Sequence, residues 1–244
     1  MEKKIRISIT FFGSLTDLSK ARMIELEPGV NQTIKDCIER LGVPHTEVYF
    51  ITLNGKFVKF DKIVENGEMY FVYPDSDLEI PEEYILTPKY EGEPKFILDI
   101  HLGGLARYLR MLGIYADFGI IEDEKIIEKA RNEDLIILTK DRMMLKNSEV
   151  KYGYIVRSDE PKQQLIEVSR RYKLKNWFNP FKRCILCNGK LLPIEKSKIL
   201  DKIPEKVKEM YDEFSICSGC EKIYWGGTHY EKMNRFIEEI RKYV

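Results

Sequence analysis

Four of the five cysteines fall into two CxxC pairs, Cys184 with Cys187 in CILC and Cys217 with Cys220 in CSGC. A tight turn that presents two thiolates, used twice, supplies the four ligands that Zn²⁺ takes in a tetrahedron. With sulfur at every coordination position no place is left for water, so such a zinc holds a fold together rather than doing chemistry. Residues 188–216 separate the pairs, a longer gap than the commonest spacing of about 15 to 20. The stretch KLLPIEKSKILDKIPEKVKEMYDEFSI must therefore bulge out as a helical or hairpin insert. Two unrelated thiol pairs, or a redox CxxC, is the competing account. Just beyond the second pair, Trp225 and His229 in YWGGTH can either stack on and hydrogen-bond to nucleic acid or pack the ribbon onto its neighbour. Cys37, within the apolar-periodic TIKDCIERLG, is expected to be a buried core thiol.

The second set of candidates is acidic. Asp99 stands near the end of the apolar run FILDI, Asp123 opens the helical pattern DEKIIEKARNE, and Asp141 follows LIILTK. In a parallel α/β sheet, chemistry gathers beyond the carboxyl ends of strands. A carboxylate in an apolar strand is costly to bury unless it is paired or ligates a cation. Each residue also has a plainer role. Asp123 and Asp141 can cap helices, and Asp99 can form a buried salt bridge with Arg107 or Arg110. Those two arginines, three apart on the expected polar side of LGGLARYLRMLG, are candidates for gripping phosphates with their forked donors, or else solvated charges or partners of the acids. Gly103-Gly104 after a strand is too common to specify phosphate binding, and neither GxGxxG nor GxxxxGK[ST] occurs.

These residues need a scaffold of three parts. Residues 4–12 alternate as a strand, IELEPGVNQTIKDCIERLGVP reads as strand, turn and helix with a stop at Gly42 and Pro44, and two further strands follow, YFITLNGKFV with a tight turn at Asn54-Gly55 and EMYFVYP after the turn at Asn66-Gly67. The order is ββαββ. The stretch DLEIPEEYILTPKYEGEP then reads as a linker. From Lys95 short apolar strands alternate with amphipathic helices, the pattern of a parallel sheet covered on both faces. The last part, from Asn176, holds the CxxC pairs and closes in a charged helix, MNRFIEEIRKYV. The expected domains are 1–80, 94–175 and 176–244.

Composition narrows the classes. In 244 residues, Lys+Arg and Asp+Glu number 40 each, so the whole-molecule field does not steer towards polyanions and any nucleic-acid surface must be local. No apolar run approaches the roughly 18 residues of a membrane helix, and MEKKIRISIT lacks an h-region. A soluble, cytoplasmic protein without membrane partners or disulfides is expected.

The N-terminal segment, with LNGKFVKFDKIVENGEMYFVYP, resembles the β-grasp sulfur carriers and ubiquitin-like proteins. Sulfur carriers end in a free Gly-Gly, whereas this chain runs on through VYPDSDLEIPEEY, so a docking role for a protein partner is expected instead of carrier chemistry. The central segment, FILDIHLGGLARYLRMLGIYADFGIIEDEKIIEKARNEDLIILTKDRMML, resembles the PIN-like RNase domain of the Mut-seven C-terminal family, and CILCNGKL and CSGCEKIYWGGTH resemble the zinc ribbon attached to it. The resemblance implies a fold of N-terminal β-grasp domain, central PIN-like parallel-sheet α/β domain and C-terminal zinc ribbon. It further implies a ribonuclease acting on RNA, with Asp99, Asp123 and Asp141 holding Mg²⁺ or Mn²⁺. Hard cations do choose carboxylate oxygens, and such ions can activate water and neutralise a scissile phosphate. PIN nucleases commonly add a helical Glu; Glu122 and Asp159 are the candidates here. The alternative function is a non-catalytic RNA- or ribosome-binding module that uses the ribbon.

Overall fold

In the computed structural model, residues 5–76 and 79–244 are described. Lys4, the first residue of the expected opening strand, and Asp77-Leu78, where the expected linker begins, lie outside them. The chain divides into two compact units, one formed by residues up to Glu91 together with Ile127–Ile155, the other by Gly92–Ile126 together with Val156–Val244.

In the first unit, β1 (Ile7–Phe11) alternates buried and half-buried residues, as its sequence demands. A short helix α1 (Leu15–Ser19), which the sequence pattern does not reveal, leads to β2 (Met23–Leu26) and then to α2 (Ile34–Arg40). Helix α2 starts at a capping box in which the Thr33 hydroxyl accepts from Asp36 N and the Asp36 carboxylate accepts from Thr33 N. Strands β3 (Phe50–Leu53), β4 (Lys56–Val58) and β5 (Met69–Tyr73) complete a sheet of order β2-β1-β5-β3-β4, with β1 and β5 parallel. The turn between β3 and β4 places Asn54 and Gly55 at φ 50° and 80°, the left-handed pair that a two-residue hairpin requires. This is the expected β-grasp, with three strands after α2 where the ββαββ reading counts two. Its core includes Ile9, Phe11, Ile34, Ile51, Tyr70 and the fully buried Cys37, whose thiol burial pushes up to about 11.

The central α/β part is built of parallel strands. In the second unit β6 (Phe96–Leu98) runs into α3 (Gly103–Met111), and β7 (Ala116–Phe118) pairs with β6 in parallel. Helix α4 (Asp123–Glu133) leads to β8 (Ile136–Thr139) and β9 (Gly153–Ile155), a parallel pair in the first unit. The residues of β6 and β8 are all buried, as strands covered on both faces must be. Helix α5 (Pro161–Arg171) follows, with Pro161 at its first turn.

The C-terminal part is an antiparallel ribbon, β10 (Leu191–Ile194), β11 (Phe214–Cys217) and β12 (Ile223–Trp225), ending in α7 (Thr228–Arg241). The insert between the cysteine pairs contains β10 and a short helix α6 (Glu205–Met210), and has a small core of its own around Ile199, Ile203 and Phe214. Trp225 packs against that core, which is the ribbon's own. Among the described residues no helix is long and apolar enough to cross a membrane.

Candidate metal centre and acidic residues

The cysteine site is set by two knuckles. In the first, Cys184 N donates to Gly189 O and Asn188 N to Cys184 O, with Asn188 at φ 68°. In the second, Gly219 N and Cys220 N point at Cys217 Sγ, 3.3 and 3.5 Å away. The Sγ atoms of Cys184 and Cys220 are 3.7 Å apart and those of Cys187 and Cys217 are 3.2 Å apart. All four lie within 4.8 Å of one another, and among the described residues this is the only group of three or more such ligands that close. A tetrahedron with metal–sulfur bonds of about 2.3 Å has edges of about 3.8 Å, so the four sulfurs fit one ion. Close packing enforces the shape: a Cβ on Gly189 would meet Cys217 Sγ at 2.7 Å and Gly219 N at 3.0 Å.

The thiols differ in their surroundings. Burial opposes charge on Cys184, but the Tyr224 hydroxyl, 3.0 Å away, and the backbone amides of Cys187 and Leu186 favour the thiolate and bring it down to about 6. Burial and the neighbouring sulfurs push Cys187 up to about 12.

Asn188 and Arg110 support this centre, and Asn188 was not singled out from the sequence. The Asn188 side chain accepts from Ala116 N at 3.2 Å. Arg110 corrects an expectation. It is not on the polar side of α3 beside Arg107 but 3% exposed, with Nε donating to Ala116 O at 2.8 Å and Nη1 to Leu186 O and Ile185 O at 2.7 and 3.3 Å. Burial holds its guanidinium below the usual value, against the opposing pull of Asp117 and the knuckle cysteines. Its donors thus clamp the first knuckle to the end of β7 and do not face solvent. Arg107 is exposed, as expected.

The acidic residues occupy the ends of elements. Asp99, 6% exposed, follows β6 and caps a 3₁₀ turn, its Oδ1 accepting from His101 N at 2.8 Å. Asp123 is the first residue of α4 and is exposed. Asp141 is exposed beyond β8; its N donates to Thr139 Oγ1 and its Oδ1 accepts from Met143 N, at 2.8 and 2.7 Å. Asp99 and Asp123 belong to one compact unit and Asp141 to the other. Glu122 is exposed and paired with Lys125 at 2.8 Å, and Asp159 is exposed just before α5.

Comparison with known proteins now bears on these sites. The family model described as Mut7-C RNAse domain matches residues 94–237. The chain belongs to this Mut7-C RNAse family. The matched region runs through both the α/β part and the cysteine ribbon, and the N-terminal region matches the model described as Mut7-C ubiquitin over residues 6–78. No curated protein matches. Among solved structures, H. volcanii small archaeal modifier protein 1 is 13% identical, with 30% of this chain and 99% of that chain covered and a TM-score of 0.26. A putative molybdopterin converting factor, subunit 1, from Pyrococcus furiosus is 20% identical, with the same coverage and a TM-score of 0.25. The family places a nuclease-type domain behind a ubiquitin-like one in this Mut7-C RNAse chain.

Proposed function

We propose that the chain is a ribonuclease that hydrolyses RNA phosphodiester bonds with Mg²⁺ or Mn²⁺, in a PIN-like centre whose carboxylates are Asp99, Asp123 and Asp141. The observation that carries the reading is the match to an RNAse family across residues 94–237. It is supported by the position of Asp99, a buried carboxylate directly beyond a fully buried strand. A strand end is where an α/β fold presents its ligands. The donor set fits a hard cation, since all three side chains offer oxygen. The bound ion would supply charge neutralisation at the phosphate and a more acidic water. Two of these carboxylates are each oriented by a nearby amide, that of Asp99 by His101 N and that of Asp141 by Met143 N. Arg107, exposed on α3, provides a phosphate contact. The cysteine group takes zinc as a structural ion, and the ubiquitin-like part presents a surface to a protein partner.

The test is incubation of the zinc-loaded protein with single-stranded and structured RNAs in Mn²⁺ or Mg²⁺. Cleavage is expected, falling at least a hundredfold in Asp99→Asn and Asp141→Asn variants of unchanged zinc content. Retained cleavage in those variants would exclude the assignment, and binding with no change in RNA length would favour a non-catalytic binding module.

A further inference from the structure

The second unit contains a cleft of about 590 Å³ between the strap 176–183 and the start of the ribbon. Its walls are unlike the rest of the molecule. The whole chain balances 40 basic against 40 acidic residues, whereas the cleft has Lys182, Arg183 and Lys190 against the single acid Glu93. Lys182 and Lys190 are exposed, and among the described residues neither ammonium has an ion-pair partner. Arg183 is fixed: Nε donates to Gly113 O at 3.1 Å, Nη1 to Asn188 O at 3.3 Å, and its guanidinium lies over the Tyr115 ring. Trp177 lines the same cleft and is 40% exposed, a large aromatic that the folded core does not claim. Asn176 and Asn179 beside it are exposed amides able to donate and accept.

The strap is held rigidly enough to keep these groups in place. Asn179 N and Phe181 N donate to Leu112 O and Met111 O at the end of α3. Gly113, at φ 86°, lies so close beneath that a Cβ there would sit 2.0 Å from Asn179 O. One fixed guanidinium and two exposed ammonium groups around an accessible indole and paired amides suit a chain of alternating phosphates and flat bases, and the volume lies within the range of small-ligand sites, roughly 300 to 1,000 Å³.

We propose that this cleft binds single-stranded RNA, with a base against Trp177, its edge met by Asn176 or Asn179, and flanking phosphates on Lys182 and Lys190. The proposal rests on the ribonuclease reading for the identity of the ligand, and adds a binding site remote in sequence from the three aspartates.

The experiment uses the full-length, zinc-loaded Asp141→Asn protein without added Mg²⁺ or Mn²⁺, so that cleavage does not enter, and follows the anisotropy of a labelled ten-nucleotide oligouridylate. Binding that weakens with salt is expected. Lys182→Glu/Lys190→Glu should weaken it at least tenfold, and Trp177→Ala roughly tenfold, with Trp177→Phe retaining most of the affinity. The charge-matched control Lys202→Glu/Lys206→Glu, in the ribbon insert, should leave it nearly unchanged. RNA should also quench the tryptophan fluorescence of the parent and not that of Trp177→Phe, a signal that a merely structural Trp177 would not give. Equal affinity in the parent and the Lys182/Lys190 variant, or an equal loss in the control, overturns the proposal. If the wild-type protein cleaves RNA and binding is indifferent to the cleft variants, the cleft assignment fails while the nuclease reading stands. If the cleft variants weaken binding and no cleavage is found, the reverse holds.

Discussion

Arg110 meets three carbonyls with two nitrogens while nearly excluded from water. Removing it leaves Ala116, Ile185 and Leu186 oxygens short of a donor, and a buried charged hydrogen-bond set is expensive to break. Arg110→Ala is expected to lower stability by about 3 kcal/mol, measured by denaturant unfolding, and to loosen the first knuckle. A variant of unchanged stability would show that the clamp contributes little. Tyr224 acts on the same centre through one hydroxyl, 3.0 Å from Cys184 Sγ. Partners that hydrogen-bond to metal ligands typically matter by 10- to 100-fold, so Tyr224→Phe is expected to weaken zinc binding by about tenfold, read by competition with a chromogenic chelator. A wild-type affinity would refute the hydroxyl's part in the site.

At the scale of elements, α2 is only seven residues long, too short to persist without tertiary packing and caps. Its capping box is the feature most exposed to pH. The backbone and hydroxyl of Thr33 hold the Asp36 carboxyl below its ordinary value of 3.8. A depressed folded-state value means that this carboxylate's stabilisation is complete above the unfolded value and is lost as pH falls through the folded one. Thr33→Ala is therefore expected to cost about 1 kcal/mol near neutrality. The deficit should shrink once the pH drops well below 3.8; a constant deficit in acid unfolding curves would contradict the linkage. The ribbon insert behaves as an element of its own, since Ile199, Ile203 and Phe214 give it a core with Val207, Tyr211 and Trp225 around it.

At the scale of the molecule, the ubiquitin-like sheet is not a detached docking module. It shares a compact unit with Ile127–Ile155. Buried Glu47 accepts from Ile155 N at 2.8 Å, His45 Nε2 lies 3.1 Å from Val150 O, and Arg142 donates to Leu18 O at 2.9 Å. The His45 ring thus stands between Val150 O and the Glu39 carboxylate, 2.8 Å from Nδ1. A fragment comprising residues 92–244 would leave Ile127–Ile155 without the partners of its own unit. Such a fragment is expected to lose the cooperative thermal transition of the full chain, even with zinc present, and to exchange the amides of β8 and β9 rapidly. A fragment as stable as the intact protein would show that the N-terminal part is dispensable.

Much of this organisation was legible in the sequence because it rests on local signals. Alternation specified β1, the Asn66-Gly67 turn marked the approach to β5, the Asn54-Gly55 turn specified the β3–β4 hairpin, and paired CxxC turns specified the metal ribbon. The family resemblance was carried by the residues after Lys95. Strand β7 was not legible, since Ala116–Phe118 has no period of its own and becomes a strand by pairing with β6. Nor was the role of Arg110, because spacing along a helix cannot tell an arginine that faces water from one that meets the carbonyls of a knuckle some seventy-five residues away. Sequence by itself determined which chemical groups the chain possesses and which short segments fold around them, through interactions between near neighbours. Tertiary structure alone decided which of those groups are consumed in holding the fold and which remain open to a ligand, because burial and hydrogen-bond partners are properties of residues far apart in the chain.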